Sequence, residues 1–304
     1  MYDVIVVGGG IAGMTAALYA RRNGKTALIL EKNGFGGQIT YSPKVENYPG
    51  YQQISGNELA DLLLEQAMAQ GAEAEIERVT EIRRENGFFR VLTEDENAYE
   101  SKAVILAAGV KHRMLGIPGE YDFVGNGISF CAVCDGDFYR GQTVAVAGGG
   151  NSALQEAILL ADTCKEVIMV QDLDFFTGEK KSQDALFSRK NVRAITGTAI
   201  RELRSTDGKM TGLLLEDRKT GKKTELACDG LFVAIGLIPD NDPFKGLVPL
   251  DEYGYLDAGE SCETGVPGVF AAGDCRHKTV RQLTTAAGDG SVAAVAACRY
   301  IDAL

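Results

Sequence analysis

Two thiols and a carboxylate in the run Cys131-Ala132-Val133-Cys134-Asp135-Gly136 are the side chains of this sequence best suited to do chemistry. Cysteines at a CxxC spacing can close a tight disulfide, and a lowered thiolate pKa makes such a pair exchange with other disulfides rather than brace a fold. The competing reading is half of a structural zinc site, which needs two further ligands at suitable spacing. The other five cysteines, Cys164, Cys228, Cys262, Cys275 and Cys298, stand singly, and His112 and His277 are the two histidines. That scatter favours redox chemistry, and no metal is expected. Position strengthens the reading, because the pair lies between two glycine-rich turns, one starting at Gly8 and one at Gly148. A dithiol between two dinucleotide sites suggests an electron relay.

The elements around each turn are those that a dinucleotide site needs. A β-branched run at residues 3–7 leads into Gly8-Gly9-Gly10-Ile11-Ala12-Gly13 and then a helical pattern, so a strand, a GxGxxG turn and a helix are expected. Glycines there allow the tight turn and close backbone approach, and the helix start receives a pyrophosphate. Residues 26–30 form the next strand and end in Glu31, at the distance where an acid can bind ribose hydroxyls. The pattern restarts with a strand at 143–147, the GxGxxA turn Gly148 to Ala153 with Gly150 at its middle, a helix from Leu154, and a strand at 166–170 ending at Gln171-Asp172. This second copy carries the stronger alternative, a duplicate that keeps the fold without the ligand. An amphipathic helix is expected over 57–70, with Leu59, Leu62, Leu63, Gln66 and Met68 near helical phase. The run 192–235 reads as β-rich, and Gly268 to Asp274 as a strand ending in an acid before a Gly/Ala-rich terminal helix. The fold class is therefore α/β, with two Rossmann-like dinucleotide-binding domains, the second inserted into the first. Gly116-Ile117-Pro118-Gly119 reads as the crossover, giving one domain from 1–115 and 244–304 and an inserted dithiol domain from 116–243.

Composition narrows the partners. A 304-residue chain with 45% hydrophobic residues can bury two ordinary cores. Its net charge of -11 argues against nucleic acid or an anionic membrane as the main partner. The N-terminus has no basic run and no unbroken apolar segment of signal-peptide type, and no later stretch reaches membrane-spanning length. Seven mostly isolated cysteines fit a reducing compartment in which the CxxC pair cycles, so a cytoplasmic location is expected.

The combination resembles the low-molecular-weight thioredoxin reductases, over essentially the whole length. It rests on Gly8 to Gly13, Gly36-Gly37-Gln38, Glu46-Asn47-Tyr48-Pro49-Gly50, the Cys131 to Gly136 run, Gly148 to Ala153, Gly268 to Asp274, and Arg281-Gln282. The resemblance implies FAD on the first domain: pyrophosphate at Gly8, Gly10 and Gly13, ribose at Glu31, and polar contacts from Gly37, Gln38 and Asn47. Asp274 would hold the ribityl or pyrophosphate portion, with Arg281, Gln282 and Leu283 near the flavin ring. It further implies that Cys134 faces the flavin, that Cys131 attacks the disulfide of thioredoxin, and that Asp135 gives or takes the proton. A thiolate leaves faster when protonated, which makes that last role physically sensible. The other reading of Asp135 is a turn residue before Gly136. A homodimer is also implied.

One departure concerns the electron donor. Members that use NADPH carry a His-Arg-Arg cluster after the second domain's second strand, whereas this chain has Gln171-Asp172-Leu173-Asp174. Two anions would repel a 2′-phosphate that paired guanidinium groups otherwise bind, so NADPH is not expected to be an efficient donor. Lys180 and Lys181 are nearby cations that could compensate. Asp172 with Gly148, Gly150 and Ala153 would suit NADH, while a branch of the family takes electrons from ferredoxin and departs in this same region. The expectation leans to a nucleotide-independent donor. The alternatives are an NADH-linked reductase component for a peroxidase, which usually carries an extra N-terminal dithiol domain, and a non-catalytic flavin-bound redox sensor. A sensor need not keep Cys131, Cys134 and Asp135 together.

Overall fold

Short apolar runs rich in Val, Ile and Leu form the buried parallel strands in the computed structural model, which describes residues 1–42 and 45–304. In chain order the elements are β1 (Tyr2–Val7), α1 (Ile11–Arg22), β2 (Ala27–Glu31), α2 (Gly56–Ala69), β3 (Glu73–Ile76), β4 (Val79–Glu85), β5 (Phe88–Thr93), β6 (Ala98–Leu106) and β7 (Val110–His112). There follow β8 (Ile128–Ser129), α3 (Ala132–Asp135), β9 (Thr143–Ala147), α4 (Asn151–Ala161), β10 (Glu166–Val170), α5 (Lys180–Phe187), β11 (Val192–Ile195), β12 (Thr198–Thr206), β13 (Lys209–Asp217) and β14 (Lys223–Ala227). The chain ends with β15 (Gly230–Val233), β16 (Leu237–Pro239), β17 (Val269–Ala271) and α6 (Leu283–Asp302). Contacts divide it into one unit of Met1–Lys111 with Ile238–Leu304 and another of His112–Leu237.

The crossings thus lie at 111/112 and 237/238, not at 115/116 and 243/244. Gly116 to Gly119 belongs inside the second unit because Glu120, 1% exposed, accepts bonds from the amides of Leu115 (2.8 Å) and Gly116 (2.9 Å) and folds that stretch back.

In the first unit the strand order is β3-β2-β1-β6-β5-β4, with β17 paired parallel to β6. All five residues of β2 are buried, as expected of a parallel strand covered on both faces. α6 packs on α1 through small residues: a Cβ on Gly290 would stand 2.2 Å from the Ala12 carbonyl oxygen, so only glycine permits that approach. α2 starts at a Ser55 cap whose hydroxyl accepts from the Glu58 amide. Its buried stripe is Gly56, Leu59, Ala60 and Ala67, while the expected Leu62 and Met68 stay exposed.

The second unit has an all-parallel sheet in the order β11-β10-β9-β15-β8 and a separate antiparallel sheet, β12-β13-β14. The two units repeat one register. Val7 pairs with Leu30 and Ala147 with Val170, so Gly8 corresponds to Gly148 and Glu31 to Gln171. Gly8 (φ 113) and Gly148 (φ 129) both need glycine, since a Cβ would meet the carbonyl oxygen of Ala107 at 2.2 Å or of Ala234 at 2.4 Å.

Candidate active site

Cys131 and Cys134 are disulfide-bonded across the single turn of α3, with Cα atoms 5.3 Å apart. Cys131 is the N-cap, and the amide of Cys134 donates to its sulfur at 3.2 Å. Backbone donors aimed at a sulfur favour its thiolate once the bond is reduced. The turn is held by two side chains that spacing alone did not single out. Ser129, at the buried end of β8, accepts from the Cys131 amide (3.1 Å) and donates to Asp135 Oδ2 (2.6 Å). Glu156 of α4 accepts from the Ala132 amide at 2.6 Å. A signal for Glu156 existed, because at helical spacing it stands on the side of α4 that carries the buried Ala153 and Leu160. Ser129 had none beyond its closeness to Cys131.

Asp135 is half-buried, and its buried Oδ1 has no hydrogen-bond partner among the described residues. Burial raises its pKa above the usual carboxylate range, against the opposing pull of the Ser129 bond. The neutral acid is therefore favoured further towards neutral pH, which suits a proton donor beside a sulfur. Burial, with help from the Asp135 charge, also pushes the Tyr139 hydroxyl up to about 12.

The second glycine turn is intact, but its strand end differs from the first. At the Glu31 register stands Gln171, 6% exposed, with Nε2 donating to the Phe175 carbonyl at 3.2 Å. Asp172, expected at this register, lies one residue further on and is exposed. It pairs with Arg218 at 3.3 Å, and Asp174 pairs with Lys219 at 2.8 Å. Lys180 pairs with Asp184 in its own helix, so the cations that meet the acidic pair come from the turn after β13 instead. Their distance in sequence hid them.

In the first unit, α1 begins at Gly10 with no side-chain cap and no acid in its first turn. A Cβ on Gly10 would find its nearest neighbour only at 3.9 Å, so the backbone there is open to close approach. Glu31 accepts from the amides of Gly9 (2.7 Å) and Asn33 (3.1 Å), one on each oxygen, which leaves each oxygen further acceptor capacity. Gln38 donates to the Val110 carbonyl at 3.1 Å, and Asn47 donates to Gln282 at 3.2 Å, just before Leu283 opens α6. Asp274 Oδ1 and Arg281 Nε are buried without a hydrogen-bond partner among the described residues. The Arg281 guanidinium lies 4.5 Å from the centre of the Tyr255 ring. Burial raises the Asp274 pKa, with Lys278 and Arg281 pulling it back. Asp289 fixes the loop that carries Asp274: it accepts from the Gly273 amide (3.0 Å), twice from Arg276 (both 2.8 Å) and from Lys278 (2.8 Å). Burial would raise its pKa, but those cations hold it below the ordinary value. Orphaned polar groups, an uncapped helix start and an open glycine turn fit an anionic, polar-edged dinucleotide.

Comparison with known proteins agrees with this geometry. Residues 2–290 match the family described as pyridine nucleotide-disulphide oxidoreductase. The thioredoxin reductase of Bacillus subtilis is 38% identical over all of this chain and 96% of that protein, and that of Treponema pallidum is 41% identical over all of this chain and 98% of its own length. The crystal structure of thioredoxin reductase from Streptococcus pyogenes superposes with a TM-score of 0.94 at 40% identity, covering 100% of this chain and 99% of the other. With the fold, the dithiol and near-complete coverage in agreement, the chain belongs to the pyridine nucleotide-disulphide oxidoreductases and, within them, to the low-molecular-weight thioredoxin reductases.

Proposed function

We propose that this chain is an FAD-dependent reductase that passes two electrons to the disulfide of a thioredoxin through Cys131 and Cys134. The observation that carries the reading is the dithiol turn, with a half-buried acid held beside it by Ser129. FAD, when bound, supplies the two-electron reservoir between donor and disulfide. The backbone at Gly8, Gly10 and Gly13 would take its pyrophosphate at the start of α1, and Glu31 its ribose hydroxyls. Gly37, Gln38, Asn47, Arg281, Gln282 and Leu283 would line the polar ring edge, with the orphaned Asp274 oxygen on the ribityl or pyrophosphate portion. Cys131 attacks thioredoxin's disulfide, Cys134 resolves the mixed disulfide, and Asp135 protonates the departing thiolate. No helix among the described residues is long and apolar enough to cross a membrane. A homodimer would use the face of α1 and α6 that leaves Tyr19 and Val292 exposed.

The donor is read as something other than NADPH, with reduced ferredoxin favoured over NADH. Gln171 brings no carboxylate to the Glu31 register, which removes the usual partner of the free ribose hydroxyls of NADH. Asp172 and Asp174 engage Arg218 and Lys219, so those cations are already paired at the place where a 2′-phosphate would need them. The purified protein should be yellow and release about one FAD per chain, as the intact first turn requires. A colourless protein that FAD cannot reconstitute would overturn the whole reading. Under anaerobic conditions, flavin bleaching should be fast with reduced ferredoxin and slow or absent with NADPH and NADH. Rapid bleaching by NADH that is lost in Asp172→Ala would restore a nucleotide site, and rapid bleaching by NADPH would refute the charge argument.

A further inference from the structure

Glu156 is a carboxyl that the relay described above does not use, yet it is bonded to the backbone between the two sulfurs. Its Oε2 accepts from the amide of Ala132 at 2.6 Å, and Ala132 is the first residue of α3. The opening amides of a helix have no partner within the helix, so each is free for a neighbouring acceptor. Here the Cys131 sulfur receives the Cys134 amide, while the Ala132 amide goes to Glu156. An ionised Glu156 therefore competes with the Cys131 thiolate in two ways, by taking a donor and by adding a like charge.

We propose that Glu156 is a positioning residue of the dithiol, acting through the Ala132 amide, and that its carboxyl gains a proton when the disulfide is reduced and releases it when the disulfide re-forms. Burial pushes its pKa up to about 7, opposed by the Ala132 bond and aided by the Asp135 charge, so both protonation states are accessible where thiols exchange. Asp135 on α3 is the titratable group whose charge bears on it. α5, β9 and β10, which also pack against α4, bring no such charge to it among the described residues. The electron count closes with the two electrons that the proposed relay delivers: they break the S–S bond and leave two thiolates, each sulfur carrying its own electron pair. Protons then pass to sulfur or to Glu156. In vitro a trialkylphosphine supplies the two electrons and leaves as its oxide, taking its oxygen from water, whose two protons are those that pass to sulfur or to Glu156.

The inference rests on the dithiol reading, but its test reads Cys131 directly, so failure of turnover with thioredoxin and failure of this proposal are separable. The flavin-loaded protein carrying Cys134→Ser leaves Cys131 as the exchangeable thiol for iodoacetamide. With Glu156 present, the alkylation rate should rise with pH through two inflections. Adding Glu156→Gln keeps an acceptor for the amide but removes the charge, so one inflection should remain, with alkylation roughly 3–10-fold faster at neutral pH. Superposable profiles would overturn the proposal. Should that variant fail to fold, infrared difference spectra of the Asp135→Asn protein decide: phosphine reduction should produce a protonated-carboxyl band near neutral pH. An unchanged carboxyl region would overturn it equally.

Discussion

Replacement of either thiol should abolish turnover with a thioredoxin while leaving the flavin bound. The expected loss in Cys131→Ser and in Cys134→Ser is complete within detection, because a serine hydroxyl stays protonated at neutral pH and cannot exchange with a disulfide. Flavin retention follows because the candidate cofactor residues, Gly8 to Asn47 and Asp274 to Leu283, belong to the other unit of the chain. The two variants should then part in a trapping experiment. A thioredoxin with one cysteine, activated as its thionitrobenzoate disulfide, is offered to each reduced variant. Cys134→Ser should release the coloured thiol and hold a stable mixed disulfide through Cys131, whereas Cys131→Ser should react far more slowly. The geometry favours that order, since Cys131 is the N-cap that receives the Cys134 amide and so carries the better-stabilised thiolate. Equal trapping by both would remove the assigned order, and retained turnover in either would remove the dithiol from the mechanism.

Much of this architecture was legible because local sequence and global fold agree. The strands at Thr143–Ala147 and Glu166–Val170 have the expected bounds, each an apolar run rich in valine. Both glycine turns precede helices, as their spacing predicts. What the sequence hides depends on distance or on a scarcity of apolar residues. α5 buries only Leu186, so its apolar pattern was too thin to announce a helix. The match between Glu31 and Gln171 emerges only from strand register. The expected ribose acid, Asp172, lies one residue beyond that register, where Gln171 stands instead. Arg218 and Lys219 reach Asp172 and Asp174 through the packing of a separate antiparallel sheet, which no local motif foretells. Glycine and proline mark linkers, which points the domain crossing to Gly116 to Gly119. The long-range cause, a buried Glu120 that gathers that stretch, is an unremarkable acid in the sequence.

Asp135→Asn should slow thioredoxin reduction by about 10²–10⁴-fold, the range expected when acid–base help is lost. The substitution is close to isosteric, and an asparagine oxygen can still accept the 2.6 Å bond from Ser129, so the turn that holds the Cys131 amide should persist. Flavin reduction by dithionite should be unchanged, since it does not pass through the dithiol. The stability effect should have the opposite sign to the rate effect. Burial raises the pKa of Asp135 in the folded chain. The stabilisation tied to its neutral form is therefore full below the unfolded pKa and is lost as pH rises through the folded one. Above that value the wild type carries a buried charge with an unpartnered Oδ1, and asparagine removes that charge. Asp135→Asn should thus raise the Tm, and raise it more as the pH goes up, while turnover collapses. Turnover should also lose the alkaline limb that deprotonation of Asp135 imposes on the wild type. A variant with an unchanged rate would return Asp135 to the role of a turn residue before Gly136. A slow variant whose Tm falls at every pH would mean that the carboxylate braces the turn rather than delivering a proton.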